Sequence, residues 1–272
     1  SSDLTVIPLL GAGLFYLSQL FLFSKYDRRS FLIAIPLSGI ALFLGLIQES
    51  IFIQTKTVIY LNQVYFPPLW LLTLYPVFSL TLNSSMLFLN KNLFISFLFG
   101  GLGACLSYLA GEKLGGVIVP SLGSYVTIFF SWGILLSLLL QFNRKMVVIE
   151  EFYTNRERLK ESVTVFFDSA CPVCAKEMRS LKKRNQTGRL EYASLTSQRE
   201  LEKITTAFTF EEAMKSIHGL THRGKILKGI DTLSEVYART DLPLLAIFLQ
   251  APLFSPLFRM AYWVWAKIRF IF

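Results

Sequence analysis

The chain has 272 residues, 53% of them hydrophobic and 17% charged, against about 25% charged in an average soluble domain. This balance excludes an ordinary soluble protein and indicates a membrane protein. The net charge of +9 is spread over both halves, which argues for orientation in a membrane and contact with anionic lipid rather than for nucleic acid. Up to Lys145 there are eight Lys/Arg and four Asp/Glu; the remainder carries nineteen and fourteen. Charge density jumps near Asn143, so residues 1–143 are expected to form an integral-membrane helical domain, 144–161 a linker and 162–272 a second domain.

Five apolar runs approach the roughly 20 residues a helix needs to cross a bilayer: Leu4 to Phe23, Ser30 to Ile53, Leu69 to Leu89, Leu93 to Ala110 and Val117 to Phe142. The first lacks a basic flank and a small-residue cleavage site, so no secretory signal is expected. Pro36, Pro76 and Pro120 fall within or beside these runs and in lipid would kink a helix rather than end it. "ESIFIQTKTVIYLNQVYF" reads equally as a loop, an interfacial helix or a sixth span. With five spans, Lys25, Arg28, Arg29, Lys91, Arg144 and Lys145 share one side and Lys56 and Lys113 the other. The basic side faces the cytoplasm. The expectation is a multi-pass protein of the bacterial inner membrane with its C-terminal domain cytoplasmic.

Polar groups inside such runs are candidates for function. Glu49, Asn83, Ser84 and Glu112 are the candidate lining of a membrane pocket. The alternatives are hydration at helix ends for the two glutamates and helix-to-helix hydrogen bonding for Asn83 and Ser84. Cys105 lies among apolar residues and reads as packing. "FPPLWLLTLYPVFSLTLNSS" followed by "LGACLSYLAGEKLGG" resembles a proteobacterial integral-membrane family of unknown function, over residues 5 to 142. That resemblance implies a helical bundle and no established activity.

The second half opens on "SVTVFFDSACPVCAKEMRSL". Ser162 to Phe167 is β-branched and aromatic, a buried strand. After Cys174, Met178 and Leu181 are spaced for one apolar helix stripe, which Gly188 ends. "LEYASL" is a second strand. Thr209 and Glu212 form a capping box before another helix. "IHGLTHRGKILKG" turns at Arg223-Gly224 as a hairpin, and "IDTLSEVYAR" is a last helix. The order is that of a thioredoxin-like α/β domain, so the fold class is an α-helical transmembrane bundle of about five spans followed by that domain. Cys171 and Cys174 sit at its first strand-to-helix turn. N–H groups at a helix start stabilise a thiolate, which makes Cys171 the nucleophile and Cys174 the resolving thiol. Asp168 either caps the turn or moves a proton for Cys174. Two other uses remain open: half a zinc site completed by His218 and His222, or inert packing. The histidines are too distant in sequence for a common finger, and neither metal nor cofactor is expected.

"FFDSACPVCAKEM", with "SIHGLTHRGKILKGIDTLSEVYA" and "PLFSPLFRMAYWVWAKIRF", is similar to the DCC-type thiol–disulfide oxidoreductase family. The resemblance runs from Val163 to the end and implies a thioredoxin-like fold and dithiol–disulfide exchange at Asp168, Cys171 and Cys174, with His218 less firmly matched. Ser169 stands where that family has Gly, and Ile268-Arg269 where it often has Asn-Arg. No proline occurs between Pro172 and Pro243, so the cis-proline of ordinary thioredoxins is missing. The tail is expected either to pack on its own sheet or to lie in the membrane interface. The reading is a membrane-tethered thiol–disulfide oxidoreductase. Its alternative is a lipid-handling enzyme or transporter with a regulatory redox domain. Only about 20 residues separate the last span from the first strand, a reach of about 30 Å if helical. The expected partners are therefore membrane lipid and a membrane-bound thiol or disulfide, with Cys105 or another membrane protein as the partner thiol.

Overall fold

The structure, a computed structural model, describes residues 3–60, 66–168, 171–185, 188–195 and 197–268. Contacts divide the chain into two units, Ser1–Val147 and Val148–Phe272.

In the first unit, α1 (Asp3–Tyr26) turns at Asp27 into α2 (Arg28–Gln54). The Asp27 carboxylate accepts from Ser30 N at 3.1 Å and caps α2. Next come β1 (Ile59–Tyr60), α3 (Leu69–Thr81), a 3₁₀ turn (Leu87–Lys91), α4 (Leu93–Lys113), β2 (Val117–Ile118) and α5 (Leu122–Thr154). Pro36 and Pro76 lie inside α2 and α3. Among the described residues, α2, α4 and α5 are long and apolar enough to cross a membrane. Close approach of α4 and α5 depends on glycine: a Cβ at Gly100 would come within 2.7 Å of the Trp132 carbonyl, and one at Gly133 within 2.7 Å of the Phe97 ring.

The structure revises one expectation and adds detail to two others. The run Leu69 to Leu89 is not one helix. α3 has 13 residues, about 20 Å of helix, and stops where a Ser side chain competes for backbone groups; the Ser84 hydroxyl donates to Leu80 O and Thr81 O at 3.3 and 3.4 Å. In the ambiguous stretch, residues up to Gln54 complete α2, a tight turn holds Lys56 at φ 53°, and β1 pairs antiparallel with β2 through Ile59↔Ile118 and Tyr60↔Val117. Residues 61–65 lie outside the described set. Residues 144–161, read as a linker, are largely helical: α5 runs on to Thr154, and α6 (Arg156–Leu159) follows, capped by Asn155.

The second unit is an α/β sandwich. Its elements are β3 (Val163–Asp168), α7 (Pro172–Lys183), β4 (Leu190–Leu195), α8 (Gln198–Glu202), α9 (Phe210–Lys215), β5 (His218–Thr221), β6 (Ile226–Lys228), α10 (Ile230–Ala238), α11 (Pro243–Leu249) and α12 (Ser255–Ile268). The strand order is β4-β3-β5-β6. β3 is parallel to β4 and antiparallel to β5, which pairs antiparallel with β6. Alternation along β3 serves two cores. Val163 and Val165 meet Met178 and Leu181 of α7 and Val236 of α10. Phe166 meets Leu201, Phe208 and Ala213 on the opposite face. The Thr209–Glu212 capping box is present, and Gly224 turns the β5–β6 hairpin at φ 78°.

The entry into β3 is fixed by a buried ion network. Glu235 receives Arg158 at 2.6 Å and also pairs with Arg239, which is 2% exposed. Arg239 further donates to the carbonyls of Arg158 and Glu161. Arg158 lies 3.9 Å above the Phe152 ring. Residues 152–161 are thereby tied to α10.

Candidate functional site

β3 ends at Asp168 and the chain enters α7 at Pro172. Cys171 is the N-cap of α7, with φ −79° and ψ 111°. Its Sγ accepts the backbone N–H of Cys174 at 3.3 Å. Pro172 occupies the first helical position, where no N–H is needed. The Cys171 and Cys174 sulfurs are 2.6 Å apart, so forming an S–S bond of about 2.05 Å requires little movement. Exposure does not separate the two: Cys171 is 9% and Cys174 8% exposed. What distinguishes Cys171 is its place at the helix start.

Asp168 is buried at the last register position of β3, opposite Leu195. With Cys174 it lines a cavity of about 270 Å³, whose walls include Glu177, Tyr237, Tyr262 and Trp265. The structure thus brings Asp168, Cys171 and Cys174 together and adds Glu177 and Tyr237, whose hydroxyl donates to Glu177 at 3.4 Å. Glu177 had a faint sequence signal, three residues after Cys174 on the same helix face. Tyr237, Tyr262 and Trp265 had none. α12 packs one face on the sheet: the Tyr262 hydroxyl accepts from Ile217 N at 2.9 Å. That N–H lies just before β5, and both Ile217 and Tyr262 line the cavity. Ser169 and Arg269, where the sequence departs from the oxidoreductase pattern, lie outside the described residues.

His218 is 1% exposed, opposite Phe166 in the β3–β5 register and stacked on Phe208 at 4.6 Å. Its Nδ1 meets the Ser216 carbonyl at 2.8 Å, while Nε2 has no partner among the described residues. Burial lowers its proton affinity below that of an ordinary histidine. Among the described residues no three His, Cys, Asp or Glu side chains are grouped to hold a metal.

In the first unit, Glu49 is fully buried. It accepts from Tyr60 at 2.6 Å, Tyr75 at 2.6 Å and Tyr108 at 2.9 Å. Tyr75 stacks on Trp132 at 5.4 Å. The other proposed pocket residues lie elsewhere. Asn83 accepts from Asn143 at 2.8 Å. Ser84 bonds back into the end of α3. Glu112 accepts from Tyr125 at 3.0 Å and Val119 N at 3.1 Å. The four do not share one pocket, because α3 ends before Asn83 and carries it to the opposite end of the helices from Glu49 and Glu112. Cys105 donates to the Tyr125 carbonyl at 3.5 Å.

Residues 2–138 match the family of proteins of unknown function DUF2878. The chain belongs to the DUF2878 family. Its residues 165–271 match the DCC1-like thiol-disulfide oxidoreductases, so in this chain a DUF2878 region is joined to a DCC1-like region. An uncharacterized chloroplastic protein of Arabidopsis thaliana is 24% identical over 119 residues, which cover 42% of this chain and 56% of that protein. No solved structure matches the chain. The DCC1-like match contains the cysteine pair, and its oxidoreductase description supports a redox role for that region.

Proposed function

We propose that the chain is a membrane-tethered thiol–disulfide oxidoreductase whose DCC1-like unit has a thioredoxin-like fold and works through Cys171 and Cys174. The observation that carries this reading is the pair itself, with its sulfurs 2.6 Å apart and Cys171 capping α7. The strand order β4-β3-β5-β6, with one parallel pair, supports the fold. The Cys171 thiolate attacks one sulfur of a partner disulfide, forming a mixed disulfide and releasing the other partner sulfur as a thiol after protonation. Cys174 then loses its proton to Asp168 or Glu177 and attacks Cys171 Sγ. The partner leaves reduced by two electrons, and the Cys171–Cys174 bond holds the oxidising equivalents. The reverse sequence oxidises a dithiol.

Tethering is supported by the three long apolar helices. α1, with 24 residues, serves as a further span, and α3 with the 3₁₀ turn completes a fifth crossing. The basic end then faces the cytoplasm, and the partner is membrane-bound. A redox titration of the full-length protein, read by thiol-specific mass tagging, tests the chemistry. The expected result is one two-electron transition that is lost in both Cys171→Ser and Cys174→Ser. Two independent one-thiol oxidations would overturn the exchange mechanism.

A further inference from the structure

We propose that the DUF2878 unit binds a neutral lipid with a hydroxyl head, in the cavity that ends at Trp132 and three tyrosines. The cavity holds about 600 Å³, within the range of about 300–1,000 Å³ typical of ligand pockets. Its room comes from α4, where small residues replace bulky ones: a Cβ added at Gly103 meets nothing within 4 Å. Leu74 and Phe99 line it and are each 44% exposed on the outer face of α3 and α4. The cavity therefore opens sideways through the apolar helix wall, the route an occupant takes from a bilayer.

The polar end sets the chemistry of the head. Tyr60, Tyr75 and Tyr108 line the cavity, and each donates its one proton to Glu49, which is not on the wall. A phenol that has spent its proton offers only lone pairs. Trp132 also lines the cavity, and its buried Nε1–H faces the Tyr108 hydroxyl without making a hydrogen bond of ordinary length. Buried indole N–H groups normally find an acceptor. The site thus presents one donor beside several acceptors. A hydroxyl satisfies both, accepting from Trp132 and donating to a tyrosine oxygen. A carboxylate or phosphate head would set a negative charge against the lone pairs of the three tyrosines, and no Lys, Arg or His lines the cavity. An ammonium head would leave Trp132 unsatisfied. This inference does not depend on the cysteines.

The test uses the full-length protein in lipid nanodiscs and three photoactivatable probes of one chain length: hexadecanol, palmitic acid and hexadecylamine, each carrying a diazirine. The alcohol is expected to label the α3 and α4 walls about tenfold more than either charged probe, the worth of one buried hydrogen bond. Unlabelled hexadecanol should compete. Trp132→Phe should remove that preference, and Gly103→Leu should remove the labelling by filling the room. Competition in the unmodified protein keeps the test decisive if a variant misfolds. Equal or stronger labelling by the acid or the amine would overturn the proposal. So would alcohol labelling that does not saturate and spreads over every lipid-facing helix, which is annular lipid only.

Discussion

Cys171 and Cys174 are equally buried, so their division of labour rests on backbone geometry. Cys171 Sγ caps the N-terminus of α7 and accepts the Cys174 N–H there. The first prediction follows: iodoacetamide modifies Cys171 before Cys174 in the reduced protein, as read by peptide mass spectrometry. Cys174→Ser should accumulate a mixed disulfide between Cys171 and a membrane protein, and Cys171→Ser should accumulate none. Initial modification at Cys174 would reverse the assignment. His218 supplies a second prediction. Burial, joined by Lys228, pulls its proton affinity down, against the Ser216 carbonyl and Glu212. The unfolded chain protonates this histidine near pH 6.5, its ordinary value; the folded chain does so only at lower pH. Below about pH 6.5 the unfolded state therefore binds more protons, and stability falls until the folded value is reached. His218→Phe keeps the ring stacking and removes the titrating nitrogens. The melting temperature of the α/β unit should then vary less between about pH 7 and about pH 5 than in the parent. The cysteines and Asp168 were legible because the turn places them within seven residues. Tyr237 and Trp265 were not, because only the folded sheet brings α10 and α12 to Cys174.

Among the elements, α2, α4, α5 and the strands of the sheet were legible from apolar length and period, whereas α3 was overrun. Hydropathy continues through Leu82 to Leu89, but Ser84 bonds back to the carbonyls of Leu80 and Thr81, and that competition does not register as a change in hydropathy. The three tyrosines on Glu49 were also hidden, being 11 to 59 residues away from it in sequence. Their seating depends on Gly45, where a Cβ would come within 2.4 Å of the Tyr75 ring. Gly45→Val should displace Tyr75 from Glu49 and destabilise the first unit by about 1–3 kcal/mol, the usual cost of overpacking. Thermal melting in detergent reads this, and an unchanged midpoint would deny the contact. In the second unit, Glu235→Ala leaves Arg158 and Arg239 without their carboxylate. Breaking a buried pair costs about 3–5 kcal/mol, so the two cysteines should become open to alkylation at a distinctly lower temperature.

At the scale of the molecule, the end of the first unit carrying most basic residues is built from three separated segments. Asp27 and Arg29 from the α1–α2 turn, Asn83 and Asn90 from the α3–α4 connection, and Asn143 and Arg144 from α5 line one small cavity. Asn143 bonds Asn83, and Arg144 bonds the Asn90 carbonyl. The opposite end holds the β1–β2 pairing, with Lys56 before it and Lys113 just ahead of β2. Each connection therefore returns the chain to the other end, the alternation a multi-pass bundle needs, although α3 alone is too short to cross. Six of the eight Lys/Arg up to Lys145 lie at or beside the first end. Positive charge close to membrane-spanning segments is retained in the cytoplasm, so the proposed topology, with α5 leaving the bundle at that end, can be tested by reporters. A phosphatase or fluorescent reporter after Phe272 should be active only as a cytoplasmic fusion. A reporter inserted at Gly115, where φ is 73° and an added Cβ meets nothing within 4 Å, should be active only on the far side. If both reporters fall on one side, α5 does not cross. If the two are exchanged, the cysteines face an oxidising compartment, and their resting form becomes the disulfide.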